Sequence, residues 1–126
     1  MSKKIVFTEK APKPVGPYSQ AVVCGDFVFV SGQIPINPKT STIVKGGIEA
    51  QTVQVMENLK SILESVSLSL AYIVKTSVFL SDLNDFHSFN NIYGKYFGVN
   101  TPAQSTVQAG LMAGVLLEID AIAKKW

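Results

Sequence analysis

Between Gly47 and Val66 the hydrophobic pattern of this chain changes period, and the change limits the folds open to it. Thr52, Met56, Leu59, Leu63 and Val66 return every three or four residues, with Val55 and Ile62 beside them. Glu49, Glu57, Lys60 and Glu64 fall on other faces. That spacing predicts an amphipathic helix of several turns. On its N-terminal side the runs are β-like instead. Lys4 to Thr8 reads as a short strand. Gln20 to Cys24 and Phe27 to Ser31 read as two more, joined by Gly25-Asp26, a pair suited to a hairpin turn. Gly32-Gln33-Ile34-Pro35 ends the third strand, and Asn37-Pro38-Lys39-Thr40 is turn chemistry. Residues 11–17 hold three prolines, which remove backbone donors and push preceding residues to extended geometry. An ordered, non-helical loop is expected there.

After the helix the periods alternate again. Tyr72 to Leu80 is β-branched and aromatic, hence a strand. Asp82 to Asp85 supplies N-cap residues for a second helix. Phe86, Phe89, Tyr93 and Phe97 then recur at helical spacing until Gly98 closes it. Gln104 to Ala109 and Val115 to Ala123 read as the last two strands. The order ββ(β)αβαββ predicts an α+β two-layer sandwich. Its sheet is mixed but rich in antiparallel pairs, both helices lie on one face, and the element order is ferredoxin-like.

At 126 residues, positions 1–126 are expected to form one domain. Hydrophobic residues make up 47% and charged ones 16%, a balance with apolar surface to spare for partner subunits to cover. No apolar run reaches the roughly 18 residues of a membrane span. Met1-Ser2-Lys3-Lys4 carries charge with no long apolar segment after it, which argues against a secretory leader. Cys24, the lone cysteine, excludes an internal disulfide and offers no metal cluster, so a reducing, cytoplasmic home is expected. All 11 basic residues are lysines, scattered from Lys3 to Lys125. A nucleic-acid binder would gather its cations on one face and favour arginine, so that partner class is not expected.

The residues able to carry chemistry fall in four patches: Gly16-Pro17-Tyr18-Ser19-Gln20; Val30-Ser31-Gly32-Gln33-Ile34-Pro35; Leu83-Asn84-Asp85-Phe86 running on to Asn90 and Tyr93; and Pro102-Ala103-Gln104-Ser105-Thr106 followed by Leu117-Glu118-Ile119-Asp120. In Leu116 to Ile122, strand alternation places Glu118 and Asp120 on one face. By themselves they read first as two ordinary acids on a solvent-facing strand. A carboxylate among apolar neighbours also tends toward a raised pKa, which suits acid–base work near neutrality. Tyr18, in a rigid loop, reads by itself as a packing tyrosine, and His87 as a solvent-facing residue near the start of the second helix.

Taken in order, the four patches resemble the Rid (YjgF, L-PSP) family over nearly the whole chain. The resemblance implies a fold like that of the trimeric chorismate mutases. It also implies a homotrimer with a small-molecule site at each subunit interface, hydrolysis of reactive 2-enamines and 2-imines, and no metal or organic cofactor. It implies that Glu118 orients or deprotonates a water, that Tyr18 closes over the substrate and that Thr106 presents backbone groups beside it. Ser31 and Gly32 would contact the amino group and Asn90 would position the ligand. At the position of Gln104 the family usually has an arginine that holds the substrate's carboxylate, and this chain has no arginine anywhere. The segment Ala109 to Gly114 is small and apolar where the family usually carries charged and proline residues. Both departures imply weakened or redirected activity. Three readings follow: a RidA-like deaminase, a metabolite-binding trimer without turnover, and the family's other label, an L-PSP-type endoribonuclease and translation inhibitor. One histidine and dispersed lysines place the third last, because RNA cleavage needs an acid–base pair or metal together with phosphate-binding cations.

Overall fold

A computed structural model describes residues 3–126; Met1 and Ser2 of the charged N-terminal stretch lie outside the described residues. The strands are β1 (Lys3–Val6), β2 (Ala21–Cys24), β3 (Phe27–Gln33), β4 (Ile36–Asn37), β5 (Thr42–Ile43), β6 (Ile73–Leu80), β7 (Ala103–Gln108) and β8 (Leu117–Lys124). The helices are α1 (Gly47–Glu64), between β5 and β6, and α2 (Phe86–Phe97), between β6 and β7. Gly25 takes a positive φ of 59° in the β2–β3 turn, the left-handed geometry a tight hairpin demands. The Asn37–Thr40 turn is the tip of the small β4–β5 hairpin.

Six strands form one sheet in the order β1-β2-β3-β8-β6-β7. Every neighbouring pair is antiparallel except β6 and β7, which are joined through α2 and run parallel. β8 lies between β3 and β6, antiparallel to both, so the path β3-α1-β6 is a crossover with a later strand inserted in its middle. This is the mixed, antiparallel-rich sheet expected from the element order.

Both helices cover one sheet face. Along β8, Leu117, Ile119, Ala121 and Ala123 are buried while the residues between them are half-exposed. Opposite these stand Val55, Met56, Leu59, Ile62 and Leu63 of α1. From α2, Phe89, Tyr93 and Phe97 stack in tilted pairs with centroids 5.1 and 4.8 Å apart. Burial of each such side chain contributes about 1.5–3 kcal/mol against the unfolded chain. The other sheet face is open: Ile5, Phe27 and Phe29 are exposed on it.

Two expectations need correction. β3 does not stop at Ser31, although it ends within the Gly32–Pro35 segment as expected. The strand runs on through Gln33 after a bulge, since Val30 pairs with Ala121 and Gln33 with Ile119. Ser31 and Gly32 thus stand together opposite Asp120 alone, a geometry that periodicity cannot announce. Phe86, which shares helical spacing with the buried aromatics, is 40% exposed. It belongs to the first turn of α2, beside the edge strand β7, where no further strand lies beyond to cover it.

Candidate functional site

The seven residues singled out above fall into two groups on opposite faces of the sheet. Tyr18, Ser31, Gly32 and Glu118 form the first. Ser31 Oγ donates to the Ser19 carbonyl at 2.6 Å and its N–H to the Gln20 carbonyl at 2.9 Å, tying the bulge to the loop that carries Tyr18. That loop is held from beneath by Gln20, which is 1% exposed. The Gln20 side-chain oxygen accepts from Thr8 N–H at 2.7 Å, and its amide nitrogen reaches the carbonyls of Thr8, Ala11 and Pro12. A buried amide satisfied at both ends fixes a segment whose prolines cannot join the sheet. Tyr18 Oη accepts from Val15 N–H at 3.3 Å, its ring lies against Gly16, and it is 46% exposed. Tyr18 and Gly32 line one narrow cleft with the proline loop.

Gly32 has a steric reason to be glycine. A Cβ there would lie 2.8 Å from Glu118 Cδ and closer still to Oε2. Glu118 pairs with Phe79 across β6 and β8, and so points to the open face. Burial holds its carboxyl above the usual carboxylate range, and the charge of Asp120 on the same face adds to the rise. The direction is the one expected from the sequence, but the apolar neighbours Leu117 and Ile119 turn to the helix face and do not cause it.

Asn90, Gln104 and Thr106 form the second group. Gln104 pairs with Thr76, whose buried hydroxyl hydrogen-bonds Tyr93 of α2 at 2.7 Å, so Gln104 faces the helices. Thr106 Oγ1 donates to Gln104 Oε1 at 2.7 Å, and Gln104 Nε2 donates to Asn90 Oδ1 at a long 3.4 Å. Leu83 and Phe86 join Gln104 and Thr106 around an open depression of about 400 Å³. Burial raises the Tyr93 phenol pKa, opposed by hydrogen bonds from Thr76 and Gln104.

With β6 between them, β7 and β8 lie about 10 Å apart at ordinary strand spacing. The two groups therefore do not meet within one chain. Neither do the lysines nearest Gln104 and Asn90 in the fold or sequence meet the second group. Lys75 Nζ donates to Ser105 Oγ at 2.6 Å, and Ser105 alternates with Gln104 to the opposite face. Lys95 lines a separate depression with Lys60, Glu64 and Tyr96. His87 is exposed. Among the described residues, no cluster of three or more His, Cys, Asp or Glu side chains could hold a metal, and no helix is long and apolar enough to cross a membrane.

Sequence reasoning missed the supports. The Thr76–Tyr93 bond, the Gln20 anchor and Gln51, whose Oε1 accepts from Leu116 N–H at 2.9 Å just ahead of β8, were not singled out. A usable signal existed for one of them: Tyr93 lies three residues after Asn90, hence on the same helix face.

The family model described as endoribonuclease L-PSP matches residues 8–125. A RutC family protein of Pyrococcus abyssi (strain GE5 / Orsay) is 54% identical over 126 residues, covering 99% of each chain. The chloroplastic Reactive Intermediate Deaminase A of Arabidopsis thaliana is 43% identical over 124 residues, 98% of this chain and 66% of that one. Among solved structures, a putative endoribonuclease from Thermotoga maritima MSB8 superposes with a TM-score of 0.95 at 50% identity, covering 98% of both chains.

Proposed function

The chain belongs to the Rid (YjgF, L-PSP) family, and on that premise we propose that it hydrolyses reactive imines and enamines at sites shared between copies of itself. The whole chain would act as one domain in a cytoplasmic homotrimer. The observation that carries this reading is the Glu118–Gly32 contact: a half-buried carboxyl with a raised pKa, seated in the space that only a glycine leaves on the neighbouring strand. The relative named as a reactive intermediate deaminase supports the reaction class.

The chemistry asks little of the protein, because an imine carbon is already electrophilic. Water adds to the carbon of the protonated imine while the Glu118 carboxylate takes one of its protons. Glu118 returns that proton to the nitrogen of the carbinolamine, and the C–N bond breaks as the hydroxyl oxygen's electron pair closes the carbonyl. The hydroxyl proton passes back to Glu118, and ammonia leaves, carrying that last proton away as ammonium. A carboxyl lifted toward neutrality can both accept and return that proton. The site must otherwise hold the substrate and aim the water. Tyr18, Ser31 and Gly32 surround the reacting end, while Asn90, Gln104 and Thr106 of a neighbouring copy grip the far end. The open sheet face, with Ile5, Phe27 and Phe29 exposed, supports such association.

A metabolite-binding trimer without turnover is the second reading. It is favoured by the neutral grip at Gln104, which removes the charge-assisted hold expected for an acid substrate. An endoribonuclease ranks third, since His87 is exposed and apart from Glu118 on a different element.

The test is to release 2-aminoacrylate with a pyridoxal-phosphate dehydratase and follow pyruvate. Acceleration lost in Glu118→Gln is expected. No acceleration by the wild type would remove the RidA-like form of this reading, in which the substrate is a free acid. Sedimentation should give three times the 13.6 kDa chain mass, and a monomer at micromolar concentration would remove the shared site.

A further inference from the structure

The recognition end of the proposed site contains no cation, and its hydrogen-bond inventory can be counted. Thr106 spends its proton on Gln104 Oε1, and Gln104 Nε2 spends one proton on Asn90 Oδ1. With the second Gln104 N–H directed at Tyr93, this chain of hydrogen bonds leaves the Asn90 amide nitrogen free to donate and a lone pair on Gln104 Oε1 free to accept. Leu83 and Phe86 supply apolar wall. Lys75 and Lys95, the basic side chains on the adjoining strand and helix, are turned to other surfaces. The reacting end contributes two carboxyl groups, Glu118 and Asp120, on one face. A ligand carboxylate would bring a third negative group into a pocket whose far wall offers only neutral donors. A carboxamide offers a carbonyl oxygen to the free N–H groups and an N–H to the free Gln104 oxygen, with no added charge.

We infer that Gln104, oriented by Asn90 and Thr106, selects ligands whose far end is a neutral carbonyl group, a carboxamide above all, over the corresponding free acids. This inference rests on the shared site proposed above. Its substrates would be imines of 2-oxo amides rather than of 2-oxo acids.

Binding of pyruvamide and of pyruvate to the full chain, measured by titration calorimetry at neutral pH, tests it without requiring turnover. The wild type should bind pyruvamide about tenfold more tightly, and Gln104→Arg should invert the order, as a guanidinium grips a carboxylate through two charge-assisted bonds. Equal or tighter binding of pyruvate by the wild type overturns the inference, as does failure to bind either. If pyruvate wins and Lys13→Met abolishes its advantage, the cation comes from Lys13, which lines the cleft beside Tyr18. A protein that prefers pyruvamide yet accelerates no imine hydrolysis keeps this inference and loses the hydrolase.

Discussion

Glu118 stands on β8, with β3 on one side and β6 on the other; Gln104 stands on β7, at the rim. The first is set by backbone: a bulge that doubles Ser31 and Gly32 against Asp120, and a glycine whose missing Cβ the carboxylate occupies. The second is set by side chains alone, an amide and a hydroxyl handing hydrogen bonds along an edge strand. A constraint written into sheet register can be changed only by disturbing the strands around it. A constraint written into a half-buried ladder of side chains can be rewritten one residue at a time. On the function proposed above, the reacting end is therefore the backbone-fixed half of this site, and the gripping end the adjustable one.

Glu118→Gln presses hardest on this contrast. Imine hydrolysis should fall by about 10²-fold or more, the usual weight of a general acid–base group. Stability should move the other way. The folded state holds the Glu118 proton more tightly than the unfolded chain does. The group thus favours folding below the ordinary carboxylate range, and that benefit is lost as pH rises through its raised folded value. Thermal melts should show Glu118→Gln above the wild type near neutral pH, with the gap closing toward about pH 4. A mutant less stable than the wild type at pH 7 would contradict the burial argument. Gly32→Ala comes next. The new Cβ displaces a flexible carboxylate and not backbone, so about tenfold or more of activity should go with little change in melting temperature, by the usual sensitivity of catalysis to small misplacement.

Tyr93→Phe separates the two halves from the other side. It strands the buried Thr76 hydroxyl and should cost about 1–3 kcal/mol in denaturant unfolding. Ligand affinity should weaken through Gln104 while the pH profile set by Glu118 stays in place. Thr106→Val is the mildest change. It frees Gln104 Oε1 and should shift the pyruvamide-to-pyruvate preference by only a few-fold, about the value of one neutral hydrogen bond. A loss of hydrolysis as deep as that of Glu118→Gln would mean that the gripping half is not adjustable after all.

The amino-acid sequence made the periodic parts legible. Both helices, the β2–β3 hairpin and the alternation of β8 follow from spacing, because burial on one face repeats at the period of the element. The bulge at Ser31 and Gly32 was hidden, since an extra residue in one strand is defined by its partner strand. The exposure of Phe86 was hidden for a similar reason: helical spacing shows which residues share a face, not where the sheet beneath runs out. The direction of the Glu118 pKa shift was anticipated from Leu117 and Ile119, but those side chains turn to the helices and the causes are burial on the open face and Asp120; its contact with Gly32 joins residues 86 positions apart in the numbering and needed the β3–β8 pairing. The separation of Gln104 from Glu118 was equally invisible, because the crossover that puts β6 between their strands is a matter of topology.

The insertion of β8 between β3 and β6 also sets a schedule for synthesis. Every other strand emerges from the ribosome before the one that must zip the two halves of the sheet together. Until then β3 and β6 each offer an unpaired edge. The strand bearing Glu118 closes the sheet, so the chain seats that carboxyl against Gly32 and completes its fold in the same late step.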